Sequence, residues 1–208
     1  MVAAAIAMND QGLNQGTSGN LSVRLDDGGF LITPSGIPCD RLEPGDMVRM
    51  AADGACYRQP LAPSSEWRIH RDLLRERPEV GAVVHAHPTY ATVLAIRGMA
   101  IPAVHYMIAA AGGSTIRCAP YATFGSQALS DHAVRALEGR LACLLANHGM
   151  IALGPSLERA LWLAGEVEAL ARQYVLSLLL GGANVLPDDE IARVAALFAD
   201  YGPKSKGS

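Results

Sequence analysis

The chain has 208 residues, a formal net charge of −3 and a half-hydrophobic composition with few aromatic residues. That length suits one domain with a core of small side chains, mainly Ala, Leu and Val. The acidic balance, with no dense run of Lys and Arg, argues against nucleic-acid binding. Cys39, Cys56, Cys118 and Cys143 are scattered without a Cys-x-x-Cys pair, which reads as four reduced thiols in a cytoplasmic protein.

The N-terminal run from Val2 to Met8 lacks a basic leader and runs straight into a polar loop. It is expected to be a helix rather than a signal peptide, and its abrupt start suggests that the natural helix extends upstream. After the loop Gln15–Asn20, Leu21 to Leu25 alternates as a strand. Asp27-Gly28-Gly29 is a hairpin turn, and Phe30 to Thr33 is its return strand. Met47 to Met50 reads as a further short strand.

A helix is expected over Ser64–Arg77, stopped by Pro78. Val80–His87 is a strand, and Thr89–Arg97 a helix with Pro88 at its start. Ala103-Val104-His105 reads as a short strand. Gly125-Ser126 opens a helix to about Glu138. Strands flank Asn147-His148-Gly149 over Leu141–Ala146 and Met150–Leu153. Helices follow over Ser156–Leu180 and Asp188–Ala199. The charges Glu158, Arg159, Glu166, Glu168 and Arg172 exclude a membrane span in the longest of them.

Early strands in hairpins and later ones alternating with helices predict a three-layer α/β/α domain with a mixed, largely antiparallel sheet. No Gly-x-Gly-x-x-Gly follows the first strand, so a dinucleotide fold is not expected. The single domain is expected to span residues 1–201, with a disordered polar tail over 202–208.

Two features carry chemistry. His85 and His87 alternate on one strand and project to one side, roughly 6 to 7 Å apart at the backbone. Spacing alone leaves two readings open: ligands of one metal ion, or histidines satisfied by local hydrogen bonds. His148, at a strand end between Asn147 and Gly149, adds weight to the first. Glu66, taken on its residues alone, reads as a first-turn carboxylate favoured by the helix dipole. His70, one turn later, reads as a surface or supporting group, and His105 and His132 as structural. The second feature is a set of three loops, Ser18-Gly19-Asn20, Ser35-Gly36 and Ser64-Ser65. Each offers hydroxyls or exposed backbone N–H groups, and each alone is an ordinary turn or cap. Together they suit an anion, the last at a helix start.

The runs Gly12–Thr17, Leu31–Pro38, Pro63–Arg68, Ile101–Gly113, Cys118–Gly125 and Ala160–Ala164 resemble the class II aldolase/adducin family, with similarity from about Ala3 to Tyr201. The resemblance implies one Zn2+ per subunit on His85, His87 and His148, with Glu66 the fourth ligand in the resting site and the catalytic acid/base once substrate displaces it. It implies that Gly19, Asn20, Ser35, Gly36, Ser64 and Ser65 bind the substrate phosphate. Tyr106 would reach a neighbouring subunit's site and handle the aldehyde oxygen, beside Phe124, Phe198 and Tyr201. The implied assembly is a homotetramer with sites between subunits. The implied reaction is reversible cleavage of L-fuculose 1-phosphate, or a related ketose 1-phosphate, to dihydroxyacetone phosphate and L-lactaldehyde through a zinc-stabilised enediolate. Close alternatives are an aldolase for 5-deoxyribulose 1-phosphate and a pentulose-phosphate epimerase or dehydratase. An alternative of another class is a non-catalytic adducin-like interaction module. Two departures from the family pattern bear on the site: Ser35 stands where a threonine is expected, and Asn147 where a histidine is common.

Overall fold

The structure is a computed structural model that describes residues 1–57 and 59–200. Tyr201 and the expected tail lie outside the described residues.

The early hairpin forms as the turn signal requires. β1 (Asn20–Arg24) pairs antiparallel with β2 (Phe30–Ile32), which pairs antiparallel with β3 (Val48–Met50). The helix α1 (Val2–Asp10) precedes them, and α2 (Trp67–Glu76) and β4 (Ala82–Ala86) follow. Next come α3 (Thr89–Ile96), β5 (Arg117–Ala119), α4 (Gln127–Ala136), β6 (Ala142–Leu145), β7 (Gly149–Gly154), α5 (Leu157–Leu179) and α6 (Asp188–Asp200). The seven strands lie in the order β3-β2-β1-β4-β7-β6-β5, antiparallel throughout except for β5 with β6.

The period of two along the strands splits the core into two layers. Val84 and Ala86 face a cluster completed by α1, α3, α5 and α6, whereas Val83 faces one completed by α2 and α4. Helix α5 supplies Ala160, Leu163, Ala164, Val167, Leu170 and Ala171, a stripe at helical spacing that packs on the sheet. The expected α/β/α arrangement is therefore the observed one.

Several boundaries differ from expectation. α2 begins at Trp67, so Ser64, Ser65 and Glu66 precede the helix rather than opening it. Ser64 Oγ instead accepts from the Glu66 N–H at 3.3 Å, and the Ser64 carbonyl accepts from Trp67. Ala103-Val104-His105 is not a strand. His105 caps a 3-10 turn over Tyr106–Ala111, its Nδ1 accepting from the Met107 N–H. β5 is a strand that was not expected from the sequence.

Candidate active site

The sheet brings its functional residues to one end. His85 lies near the end of β4 and His87 one residue beyond it; His148 lies in the tight connection from β6 to β7. That connection turns through Asn147, which has a φ of 55°, a left-handed conformation that Asn tolerates better than most residues. Asn20, the first residue of β1, pairs directly with His85. Glu66 arrives from the segment before α2.

The imidazole nitrogens of His85, His87 and His148 lie within 4.8 Å of one another. His85 Nε2 is 2.9 Å from His87 Nε2 and 3.1 Å from Glu66 Oε2, and His148 Nε2 is 3.3 Å from Glu66 Oε1. His85 is buried, and its Nδ1 donates to the Met150 carbonyl at 2.9 Å. In neutral His85 that bond leaves Nε2 with a lone pair, pointing at a second imidazole nitrogen and a carboxylate oxygen. Acceptors facing acceptors repel unless a cation, or a proton on His85, lies between them. Glu66 Oε1 is buried and, despite its proximity to His148, has no hydrogen-bond partner of acceptable geometry. Three neutral imidazole nitrogens and one carboxylate oxygen are a donor set that a divalent ion such as zinc prefers. The residues fit such an ion.

Protonation follows the same logic. Burial works against charge on Glu66, but the neighbouring His85 and His148 and the Asn20 amide outweigh it and hold its carboxyl well below the usual range. Burial also opposes charge on His85, yet Glu66 prevails and raises its pKa. Burial and the charge of His85 push His87 down to about 3 and His148 to about 4. These two imidazoles are neutral at neutral pH, the form in which imidazole binds a metal.

In front of this cluster opens a cavity of about 430 Å³. Glu66, His87 and His148 line it together with Gly19, Asn20, Ser35, Gly36, Ser64, Ser65 and Phe124. The structure thus unites all three proposed anion loops with the acidic residue. No Lys or Arg lines the cavity among the described residues, so an anion there would meet hydroxyls, amides and the start of α2. Gly19 and Gly36 have φ of 76° and 75°, and the positive angle turns their backbone as few other residues can.

Tyr106 and Phe198 are placed elsewhere. They line a separate, largely apolar cavity of about 840 Å³ with Met107, Trp162 and Leu197, their rings 6.3 Å apart. Tyr106 is about half exposed.

Two residues near the site, Tyr121 and Asn14, were missed by sequence reasoning. Tyr121 lines the cavity beside Phe124. Buried Asn14 accepts from the His87 N–H at 2.9 Å and packs beneath Gly19, where an added Cβ would lie 2.1 Å from its amide nitrogen. Asn14 therefore ties the strand end carrying His87 to the glycine loop. His70, expected as a surface or supporting group, is fully buried. The signal for Asn14 was its polarity between two turn glycines, which does not distinguish a turn residue from a tether. His105 and His132 have the structural roles expected of them, His132 Nδ1 lying 3.1 Å from the Pro120 carbonyl.

Residues 1–175 match the class II aldolase and adducin N-terminal domain. The chain belongs to the class II aldolase and adducin family. It is 53% identical over 206 residues to a 5-methylthioribulose-1-phosphate/5-deoxyribulose-1-phosphate aldolase of Rhodospirillum rubrum, covering 99% of this chain and 92% of that one. It is 48% identical over 203 residues to the L-fuculose phosphate aldolase of Escherichia coli K12, covering 97% and 94%. A solved L-fuculose 1-phosphate aldolase superposes with a TM-score of 0.93 at 41% identity, covering 95% of this chain and 93% of that one. The chain is accordingly a class II aldolase, with a histidine cluster compatible with a metal site. No described helix is long and apolar enough to cross a membrane.

Proposed function

We propose that this aldolase cleaves a short deoxyketose 1-phosphate reversibly to dihydroxyacetone phosphate and a small aldehyde, with one zinc ion per subunit. The observation that supports it most is the convergence of three imidazoles and Glu66 at the floor of a cavity rimmed by neutral anion-binding groups. The ion would sit on His85, His87, His148 and Glu66. When bound it supplies Lewis-acid polarisation of the ketose carbonyl, which stabilises negative charge developing on the ketose half.

The chain's own residues do the rest. Gly19, Asn20, Ser35, Gly36, Ser64 and Ser65 hold the phosphate and so fix the ketose along the cavity, converting binding energy into orientation. Cleavage requires loss of a hydroxyl proton on the aldehyde side and gain of a proton at carbon on the ketose side. Glu66, once substrate displaces it from the ion, would carry the second proton; its carboxylate lining the cavity supports that role. Tyr106 is the phenol proposed for the first. Its distance from the cavity of its own chain is consistent with service to a neighbouring subunit, in a homotetramer with sites between subunits. Phe124 would line the aldehyde side with Phe198 and Tyr201 of such a neighbour. Residues 1–201 would form the functional domain, acting in the cytoplasm.

L-Fuculose 1-phosphate, giving L-lactaldehyde, is one substrate reading and is supported by the E. coli relative. 5-Deoxyribulose 1-phosphate is the second, favoured by the 53% identical R. rubrum relative. Both share the phosphate half and differ in the aldehyde. A cleavage assay across fuculose, rhamnulose, ribulose and 5-deoxyribulose 1-phosphates tests the proposal. A marked preference for one or both deoxy substrates named above supports it, and no cleavage of any would overturn it.

A further inference from the structure

His70 sits on α2, one helical turn after Glu66, with both ring nitrogens engaged. Nδ1 lies 2.6 Å from Ser22 Oγ, and Nε2 lies 2.5 Å from Asn20 Oδ1. Asn20 Nδ2 donates in turn to Glu66 Oε2 at 2.9 Å. All four side chains are buried, so water does not readily substitute for any of these bonds.

The proton directions follow from the end of the chain. An ionised carboxylate only accepts, so Asn20 must turn its NH2 toward Glu66. Its carbonyl oxygen then faces His70 and needs a donor. His70 is therefore the neutral Nε2–H tautomer, and its Nδ1 accepts from the Ser22 hydroxyl. Rotating the Asn20 amide by half a turn would set its oxygen against Glu66 and its NH2 against the His70 N–H, two repulsive contacts in a buried place.

We propose that His70 is a positioning residue for the aldolase reaction: it locks the Asn20 amide so that one N–H holds Glu66 Oε2 while the other remains available to substrate in the cavity. This inference rests on the assignment of proton transfer to Glu66. His70 touches no substrate and acts through Asn20. The ring is neutral because burial pushes its pKa down to about 3, and the Nε2–H donor to Asn20 needs no added charge. The chain also explains why α2 follows Glu66 directly. The helix supplies the imidazole that orients, through β1, the residue just before it.

The test compares His70→Gln with His70→Asn. A glutamine side-chain nitrogen can reach the place of Nε2 and keep the donor to Asn20. An asparagine nitrogen reaches only the place of Nδ1. With melting temperature and bound zinc measured for both, His70→Gln is expected to rescue kcat to within ~3-fold of wild type, and His70→Asn to lose ~10–100-fold. Equal loss in the two variants would overturn the role, leaving His70 as a staple between α2 and β1. Long-range ¹H–¹⁵N spectra of histidine-labelled wild type supply a readout independent of activity and of variant folding. They should show His70 as the Nε2–H tautomer at neutral pH; the Nδ1–H tautomer, which has no donor for Asn20, would overturn the inference. Wild-type protein that cleaves no ketose phosphate would sink the proposed function together with the positioning role. Cleavage by wild type with equal losses in the variants would sink the positioning role alone.

Discussion

His85 Nδ1 donates to the main-chain carbonyl of Met150 across 2.9 Å, and so strand β7 decides which nitrogen of His85 faces His87 and Glu66. Met150 pairs with Ala86 in the β4–β7 ladder, so the acceptor is fixed by sheet register rather than by a mobile side chain. The consequence is a lone pair aimed at the spot where His87, His148 and Glu66 also converge.

Removing that lone pair should weaken the proposed ion site. For His85→Ala we expect zinc affinity to fall by at least ~100-fold, beyond the effect of losing an outer hydrogen-bond partner. Metal content per subunit after dialysis against a weak chelator measures it. Stoichiometric zinc in the variant would contradict the ligand assignment.

Glu66 has two assigned tasks that substitution can separate. Glu66→Gln keeps the shape and one oxygen while losing the proton-carrying carboxylate. We expect cleavage to fall by ~10²–10⁴-fold, the usual scale for losing an acid–base group, with zinc still bound. Unimpaired cleavage by zinc-loaded Glu66→Gln would remove Glu66 from proton transfer.

Gly19 couples the phosphate loop to the ion site. Gly19→Ala places a Cβ against Asn14 at a backbone φ of 76°. The left-handed conformation alone costs about 1–2 kcal/mol for a residue with a Cβ. Displaced Asn14 would also release the His87 N–H. A lower melting temperature and a raised KM for the ketose phosphate are expected together. A variant with unchanged KM would show that this loop does not hold the phosphate.

Asp72 should make the fold acid-sensitive. Burial acts to raise its pKa, but hydrogen bonds from Arg71, Gln127 and Ser130 outweigh it, and the pKa is lowered. A carboxyl depressed in the folded state contributes stability that is present above its unfolded pKa of about 3.9 and is lost as pH falls through the folded value. Asp72→Asn should therefore destabilise the protein by about 1–3 kcal/mol at neutral pH. Denaturant melts should show that deficit shrinking below about pH 4. A deficit independent of pH would place its origin in packing between α2 and α4.

The layer order was legible because the sequence switches period where the structure does: hairpins around Asp27-Gly28-Gly29, then strands between amphipathic helices. Alternation put His85 and His87 on one side of a strand but left open whether they bind a metal or are satisfied by local hydrogen bonds. Glu66 was not legible from its own residues, because a carboxylate near a helix start has a sufficient local explanation; the family resemblance singled it out, and the fold carries it to His85, nineteen positions on. His70 and Asn14 were obscured for a related reason. Their partners Ser22, Asn20 and His87 are distant in sequence, and a buried polar residue reads like an exposed one until its partners are known.

The central claim is that the His85–His87–His148–Glu66 cluster holds the ion on which carbon–carbon cleavage depends. The most direct measurement is dihydroxyacetone phosphate released from a ketose 1-phosphate by protein stripped with chelator and then titrated with zinc. The account predicts loss of release on stripping and its return at one zinc per subunit. Full release by demonstrably metal-free protein would contradict it.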